Sequence, residues 1–316
     1  MRTATRKMIK KAEILDRIEL RQSTIKDWLS CPLMFHYRHV LKLDPSYRSL
    51  AAIHGSALHL CIHRLHKQGF DQDLKQVYAN ALEETLDLET RIPIRWKGEP
   101  ADDLSTLETH ALELLAGYVG YKPNSDCRMI YSEVLFRLRL SGMTFTGTID
   151  QVRRNVDGTL ELVDLKSGMQ RPNKRSLPRD WQLNLYAYAL RYGELFMDGS
   201  WIQPRLKVTR TSIYFLRAHE IYKRNGKYGK QGSQKGQPWI TCEKPAWELM
   251  QFRQELKNII KMMTRDWVFP NTASCGFCAF HEPCDDRMAL HLSNRYKRIS
   301  HMISAPQCTE DMKGVR

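Results

Sequence analysis

Residues 147–168, GTIDQVRRNVDGTLELVDLKSG, decide the fold. Two runs with the alternation of β-strands flank residues 155–158 (NVDG), and an Asp-Gly pair between such runs predicts a β-hairpin. Asp150 lies late in the first run, and Asp164 and Lys166 lie late in the second. A hairpin at this turn brings the two acidic positions toward each other, so these charges inside β-rich segments need a chemical explanation.

A divalent cation is one explanation for the paired acids. Two carboxylates about 4 Å apart repel by roughly 4 kcal/mol at an effective dielectric of 20, and a cation turns that repulsion into binding. Oxygen ligands favour Mg²⁺ or Mn²⁺, and a nearby lysine is suited to holding or activating a water. This set fits metal-assisted phosphodiester hydrolysis. The alternative is a surface ion pair between Asp164 and Lys166.

The flanking sequence predicts a mixed α/β domain. Period-two alternation indicates strands at about residues 130–140, 143–153, 159–166 and 207–217. Helical spacing indicates several helices between about residues 23 and 120, and further helices at about 179–193 and 245–266. We therefore expect a mixed central sheet flanked by helices, with an N-terminal helical region and a C-terminal cysteine cluster.

The chain is basic, and its charge is uneven. Its 316 residues include 49 Lys and Arg against 35 Asp and Glu, a formal net charge of +14. Residues 71–120 reverse the sign, with eleven acidic residues against four basic ones. A basic groove backed by an acidic helical face fits this pattern, and nucleic acid is the usual partner of such a groove. A generally basic surface is the alternative.

Several classes of protein are disfavoured. No apolar run approaches the roughly 18 residues that a membrane span needs, and the basic N-terminus lacks the apolar core of a secretory signal. We therefore expect a cytoplasmic protein with no membrane partner. The sequence also lacks G-x-x-x-x-G-K-[ST], so no ATP motor of the P-loop type is expected in it.

Five motifs together resemble the PD-(D/E)XK nuclease superfamily. They are residues 55–59 (GSALH), Glu133, residues 147–150 (GTID), 163–166 (VDLK) and 182–186 (QLNLY). The Gly-x-x-x-His motif before the strands is similar to that of the RecB-like exonuclease branch. The resemblance spans about residues 23–284 and implies the restriction-endonuclease-like fold of the superfamily.

The resemblance also implies roles for individual residues. Asp150 and Asp164 would bind the metal, with help from the backbone carbonyl of Leu165. Lys166 would position or polarise the attacking water. His59 would be a further metal ligand or an orienting group.

Three more residues are implied to belong to the site. Glu133 matches an acidic position that helps a second metal, although an ion pair with Arg137 or Arg139 is an equal alternative. Gln182 and Tyr186 are one helical turn apart and face the same way. In relatives that pair borders the active site; the alternative is a polar pair over the sheet.

His63 completes an H-x-x-x-H pair with His59, a spacing that also occurs in zinc sites. The glutamate of the zinc-protease motif is missing, because position 60 is Leu. We expect His63 to be an ordinary core or surface histidine.

A second metal site is indicated near the C-terminus, where Cys275, Cys278 and Cys284 form C-x2-C-x5-C. Without a secretory signal, such a cluster indicates metal binding rather than disulfides. A tetrahedral site needs a fourth ligand, and spacing alone favours zinc. Spacing leaves four candidates for that ligand: Cys31, Cys242, His281 and Cys308.

The resemblance selects among these candidates. Residues 23–37 (STIKDWLSCPLMFHY) look like the N-terminal cysteine motif of iron–sulfur members of the branch, such as AddB-type helicase-nucleases and CRISPR-associated adaptation nucleases. It implies a four-iron, four-sulfur cluster held by Cys31, Cys275, Cys278 and Cys284. A cluster that joins Cys31 to Cys275 closes a long loop of the chain and so lowers the entropy of the denatured state. We therefore expect a structural role for the cluster.

These parts define the expected organisation. Residues 1–22 are a basic tail, 23–125 a helical region with Cys31 and His59, 126–268 a nuclease core, and 269–316 the cysteine cluster with a C-terminal tail. Residues 223–238 (KRNGKYGKQGSQKGQP) are a flexible basic insertion in the core, because they are rich in Gly, Lys and Gln and lack acids.

Basic residues after the Asp-x-Lys strand indicate a DNA path. Residues 166–179 contain five bases and no acid. We expect Arg171, Lys174, Arg175 and Arg179 to contact phosphates; a solvated loop is the alternative.

The expected function is a metal-dependent DNA nuclease, a single-strand-acting exonuclease in recombination, repair or replication. Its expected partner is single-stranded DNA or the ends of double-stranded DNA. It would work alone or beside a separate helicase, recombinase or integrase. The alternatives are an endonuclease, a zinc-stapled DNA-binding protein and a scaffold that binds nucleic acid without chemistry. The presence of His59, Asp150, Asp164 and Lys166 together argues against the scaffold.

Overall fold

The computed structural model describes residues 19–87, 92–121, 127–220, 237–264 and 268–285. Its strands are β1 (Glu19–Leu20), β2 (Arg48–Ser49), β3 (Ile94–Arg95), β4 (Arg128–Leu140), β5 (Met143–Arg154), β6 (Leu160–Lys166), β7 (Glu194–Met197), β8 (Ser200–Ile202), β9 (Val208–Phe215) and β10 (Trp239–Glu243). Its α-helices are α1 (Gln22–Ser30), α2 (Pro32–Phe35), α3 (Leu50–Gln68), α4 (Leu74–Asp87), α5 (Pro100–Gly120), α6 (Trp181–Tyr192) and α7 (Ala246–Met263). A π-helical turn, His36–Val40, extends α2.

One mixed sheet organises the molecule. The strand order is β10-β9-β6-β5-β4-β7-β8, and β1 pairs in parallel with β5. β4, β5 and β6 are antiparallel neighbours, whereas β6 and β9 are parallel. The hairpin expected at Asp157-Gly158 is confirmed: β5 and β6 pair with Arg154 opposite Leu160.

Helices cover both faces of the sheet, which confirms the expected fold class. Leu162 of β6 packs in a core with α6 and α7, while its neighbours Val163 and Leu165 pack in a second core with α3, α4 and α5. Successive residues of a strand point to opposite faces. A strand buried on both faces is therefore apolar almost throughout, and an Asp inside it is conspicuous.

A close approach between two strands explains the glycine that opens the 147–150 motif. Gly147 of β5 lies opposite Phe136 of β4. A Cβ atom at Gly147 would lie 2.9 Å from the Phe136 ring, closer than packed carbon atoms can come. The glycine lets the Phe136 ring pack closely against the strand that carries Asp150.

Six strands were not expected from the sequence: β1, β2, β3, β7, β8 and β10. β7 and β8 form a hairpin with Met197 opposite Ser200, and β10 adds to the far edge beside β9. The expected basic insertion lies outside the described residues except for its last two positions, 237 and 238. Residues 19–22, assigned to the tail, form β1 and the start of α1. Among the described helices, none is both long and apolar enough to cross a membrane.

Candidate active site

The site lies where β5 and β6 separate. Their ladder ends at the pair Gln151–Val163, and the next step of the same register places Asp150 opposite Asp164. The Asp150 carboxylate accepts a hydrogen bond from the backbone N–H of Leu165 at 2.7 Å. A side-chain oxygen thus replaces the backbone partner that a regular ladder would supply, because a buried N–H left unpaired is costly.

α3 brings His59 to the same place. A Cβ atom on Gly55 would lie 3.2 Å from Ser167 Oγ, so the glycine lets the helix approach the end of β6. His59 is one turn further along the same helical face, and its Nε2 lies 3.0 Å from the Leu165 carbonyl oxygen. The Gly-x-x-x-His spacing therefore has a steric reason: close approach at one turn and contact at the next.

Three side chains converge on one point. His59 Nδ1 lies 3.6 Å from Glu133 Oε1 and 3.5 Å from Asp150 Oδ2. One potential ligand atom from each residue lies within 4.8 Å of the others. Glu133 reaches this point from an unusual backbone conformation, with φ of 50°. This left-handed conformation is strained for a residue with a side chain, and such strain concentrates at functional positions.

Asp164 starts a chain of contacts on the other side of the gap. Its Oδ2 lies 2.7 Å from Lys166 Nζ, and Lys166 donates to Gln182 Oε1 at 2.8 Å. Gln182 Nε2 in turn donates to Tyr186 OH at 3.1 Å. Asp164 is 1% exposed, so its pairing with Lys166 is not the surface ion pair of the alternative interpretation.

Two carboxylate oxygens in the site are buried and make no hydrogen bond within the described residues. They are Asp164 Oδ1 and Glu133 Oε1. A buried acceptor without a partner is costly unless a cation or a water satisfies it. Carboxylates, a backbone carbonyl and one imidazole are donors that suit Mg²⁺ or Mn²⁺. The residues at this gap therefore fit the divalent metal that the fold implies.

Burial and neighbouring charges shift the pKa values of these acids in different directions. Burial raises the pKa of Asp164 to about 7, and burial also raises the pKa of Glu133. Burial opposes the charge of Asp150 too, but His59 and the Leu165 N–H hold its pKa below the usual value. The two aspartates are thus tuned apart, as is common where metals bind or protons move.

Two alternatives from the sequence can now be compared with the structure. Arg137 Nε pairs with Glu194 at 2.8 Å, whereas Glu133 faces His59. His63 Nδ1 lies 3.0 Å from Ser132 Oγ, and His63 is not one of the three residues whose ligand atoms converge.

The expected DNA-contacting residues lie just past the end of β6. Lys174, Arg175 and Arg179 are exposed in a 3₁₀ helix, Lys174–Arg179. The Arg171 guanidinium lies 5.5 Å over the Phe215 ring, and its buried Nη1 has no hydrogen-bond partner in the described part of the chain.

Sequence reasoning missed Arg217. Its Nε donates to the Ser167 carbonyl at 2.9 Å, and the preceding Leu216 N–H donates to the Lys166 carbonyl at 2.9 Å. These bonds fix the backbone that follows the catalytic-lysine candidate. Arg217 ends a predicted strand, but the sequence does not show that this strand lies beside the Asp-x-Lys strand.

The four cysteines expected to bind one cluster line a single cavity. Cys31, Cys275, Cys278 and Cys284 surround it, and His281 also borders it. All four are free thiols. Cys31 Sγ accepts a hydrogen bond from the backbone N–H of Asn271 at 3.3 Å.

The other cysteine candidates lie elsewhere. Cys242 contacts the Thr211 hydroxyl at 3.2 Å and does not border the cavity. Cys308 lies outside the described residues.

The chain is similar to one family of known proteins and to some solved structures. The model of the PD-(D/E)XK nuclease superfamily matches residues 19–285. Among solved structures, a protein named as a putative exonuclease from Eubacterium rectale is similar over 88% of this chain and 91% of its own, with 12% identity and a TM-score of 0.45. The protein SSO0001 is similar over 82% of this chain and 92% of its own, with 13% identity and a TM-score of 0.29. No protein with a curated description matches the chain. Because the family match spans the sheet and the helices on both its faces, the chain belongs to the PD-(D/E)XK nuclease superfamily.

Proposed function

We propose that the chain is a divalent-metal-dependent deoxyribonuclease that hydrolyses phosphodiester bonds, acting as an exonuclease on single strands. The observation that supports this most strongly is the convergence of His59, Glu133 and Asp150 within 4.8 Å beside the unpaired oxygen of Asp164. A binding scaffold without chemistry has no use for buried, unpartnered carboxylate oxygens, which only destabilise it.

Asp150, Asp164 and the Leu165 carbonyl would hold the metal, with His59 as a further ligand or as the group that orients them. Glu133 would assist a second ion. When bound, a divalent cation lowers the pKa of water and stabilises charge on the phosphate.

Lys166 would hold the attacking water or a phosphate oxygen. Burial opposes its charge, but Asp164 raises its pKa above the usual value, so it remains an ammonium donor rather than a base. Gln182, backed by Tyr186, fixes the direction of that ammonium group.

The four cavity-lining cysteines would hold a four-iron, four-sulfur cluster, as in the RecB-like branch. Supporting features are the four free thiols around one cavity and the N–H···S bond to Cys31. The alternative is a zinc ion held by the same thiols.

Basic side chains that follow β6 would guide the substrate to the metal. Arg171, Lys174, Arg175 and Arg179 would contact DNA phosphates beside Lys166. The cellular role would be in recombination, repair or replication, in the cytoplasm, alone or beside a separate helicase, recombinase or integrase.

The test uses protein purified without oxygen and end-labelled DNA, linear and closed circular, single- and double-stranded. Each substrate is incubated with Mg²⁺, Mn²⁺ or EDTA. Degradation of linear single strands alone, stopped by EDTA, would support the proposal. Cutting of circles would mean an endonuclease, and binding without metal-dependent cleavage of any substrate would establish a scaffold. Iron, sulfide and zinc analysis of the same sample decides the content of the cysteine site.

A further inference from the structure

An open face of the sheet leads away from the candidate metal site. α3 crosses this face at Ser132, and beyond Glu133 the face of β4 carries Leu135, Arg137 and Arg139. Leu135 is 48% exposed. The register places threonines of β5 beside these residues: Thr148, Thr146 and Thr144. The face is therefore polar, β-branched and continuous with the strand positions of Glu133 and Asp150.

Two aromatic rings stand at the outer edge of this face. Phe196 of β7 lies opposite Trp201 of β8. Glu194 lies on the same face of β7 as Phe196 and is paired with Arg137 of β4. The ring centroids are 5.3 Å apart, and the side chains are 40% and 36% exposed. Burial of aromatic side chains contributes a large favourable free energy. Two adjacent exposed rings therefore indicate a surface that binds a ligand or a partner.

Arg137 joins the rings to the rest of the face. Its guanidinium lies 4.5 Å over the Trp201 ring and is held by Glu194 at 2.8 Å. A planar cation fixed on an aromatic ring is preorganised for stacking, because its rotamer entropy is already lost. Arg139 is exposed and has no ion pair within the described residues.

We propose that the face formed by β4, β5 and the β7–β8 hairpin binds single-stranded DNA, with unpaired bases stacking on Phe196 and Trp201 and the strand running to the metal site. This inference rests on the proposed function and adds a binding surface to it. Arg137 is four residues from Glu133, about 13 Å at 3.3 Å per residue. A strand held at the rings thus reaches the carboxylates without leaving the sheet.

The chemistry of the face favours single strands over two other occupants. Aromatic and arginine π-faces accept any unpaired base, whereas the bases of a duplex are already stacked on one another. The core of a protein interface is apolar and poor in charge, but here threonines and arginines separate the rings from the site. A cationic and aromatic surface that ends at a hydrolytic site matches a polyanion with exposed bases.

The test measures binding of fluorescein-labelled single strands and duplexes of equal length by anisotropy, with Ca²⁺ in place of Mg²⁺. Trp201→Ala and Phe196→Ala are compared with Trp247→Ala, which removes a 63% exposed tryptophan from α7. Each hairpin variant is expected to weaken single-strand binding about tenfold, since stacking on one ring contributes about 1–3 kcal/mol per base. Trp201→Phe should restore most of the affinity, and duplex binding and Trp247→Ala should change less than about twofold.

Hydrolysis of bis(p-nitrophenyl) phosphate separates this proposal from the proposed function. This small diester needs the metal site but does not reach the rings, so Trp201→Ala should hydrolyse it at the wild-type rate. Single-strand affinity unchanged in both hairpin variants, with diester hydrolysis intact, would overturn the proposed DNA track alone. If light scattering shows that the wild type is a dimer and that Trp201→Ala is a monomer with unchanged DNA affinity, the face instead mediates contacts between copies of the chain. No metal-dependent hydrolysis by the wild type on DNA or diester would refute the enzyme itself.

Discussion

At the scale of single residues, the two aspartates of the candidate site make different contacts. Asp150 is tied to the backbone of β6 and stays ionised, while Asp164 keeps one oxygen on Lys166 and leaves the other unpaired. The two carboxylates therefore differ in environment, and substitutions should separate their contributions.

Asp164→Asn should lower DNA hydrolysis by more than about 100-fold, because it removes a charged oxygen from the metal site and weakens the pairing with Lys166. The measurement is the initial rate on labelled DNA across a range of Mg²⁺ concentrations. Asp157→Asn is the control, since Asp157 lies in the turn of the same hairpin and pairs with Arg210 at 2.9 Å. Similar loss in both variants would show damage to the hairpin rather than to the site.

Gln182→Leu should act on catalysis rather than on metal affinity. It removes the 2.8 Å bond that directs Lys166 while leaving the carboxylates in place. We expect kcat to fall by about tenfold, the loss of roughly one hydrogen bond to a charged group, at an unchanged Mg²⁺ requirement. Tyr186→Phe, one step further along the chain, should lower kcat less. A shifted Mg²⁺ requirement with kcat unchanged would contradict this assignment.

At the scale of elements, α5 approaches the segment after β9 through Gly117. A Cβ atom there would lie 2.4 Å from the His219 side chain, which is buried and contacts Tyr214 OH at 2.7 Å. The same helix ends at Gly120, where an added Cβ atom would meet no other described residue within 4 Å. The two glycines thus offer a matched pair on one helix.

Gly117→Ala should lower the free energy of unfolding by about 1–2 kcal/mol, because overpacking costs about 1–3 kcal/mol and the gain in helix propensity offsets part of it. Gly120→Ala should be neutral or stabilising by up to about 1 kcal/mol. Urea unfolding followed by circular dichroism measures both. Equal stability of the two variants would mean that the segment bearing His219 moves aside at no cost.

The sequence predicted those elements whose signals are local. The Asp157-Gly158 turn and the alternation around it correctly placed Asp150 near Asp164. The β7–β8 hairpin was missed although Asp198-Gly199 carries the same signal, with φ of 49° and 78°. The strands of this hairpin are too short for their alternation of apolar and polar residues to be recognised in the sequence. β10 was missed because it follows directly on a basic, glycine-rich run.

Contacts set by long-range geometry were not predictable from sequence. The strained backbone at Glu133 leaves no local signature, since glutamate has no preference for positive φ. The hydrogen bond from Arg217 to Ser167 needs the parallel pairing of β6 with β9, and register between distant strands is not written in either strand. Family resemblance supplied the candidate site residues, and the structure supplied their mutual geometry.

At the scale of the whole molecule, the two ends of the described chain are joined. Ser30 accepts hydrogen bonds at its carbonyl from Asn271 at 2.8 Å and Ser274 at 2.9 Å, and Tyr37 OH donates to the Pro283 carbonyl at 2.9 Å. The cysteine cavity lies within this junction, and Phe280 packs beside Cys31 in its small core. The cysteine site would therefore fix α1 and α2 against the C-terminal segment.

Cys275→Ser should remove the metal bound at this site and lower the free energy of unfolding by about 3–5 kcal/mol, the scale of a cross-link that closes a long loop. Visible absorbance, metal analysis and urea unfolding are the measurements. Cys242→Ser is the control, because that thiol contacts the Thr211 hydroxyl and lies off the cavity. Equal metal content in both variants would contradict a site at the chain ends.

This junction also sets an order in time. A growing polypeptide exposes Cys31, Leu33 and Tyr37 early in synthesis, but Phe280 and Cys284 leave the ribosome hundreds of residues later. Until then the small apolar core around Cys31 lacks Phe280 and stays exposed. Exposed apolar surface is recognised by chaperones and proteases. A chain broken off before residue 275 could never close it. The junction can therefore form only after residue 284 has been synthesised, late in the folding of the chain.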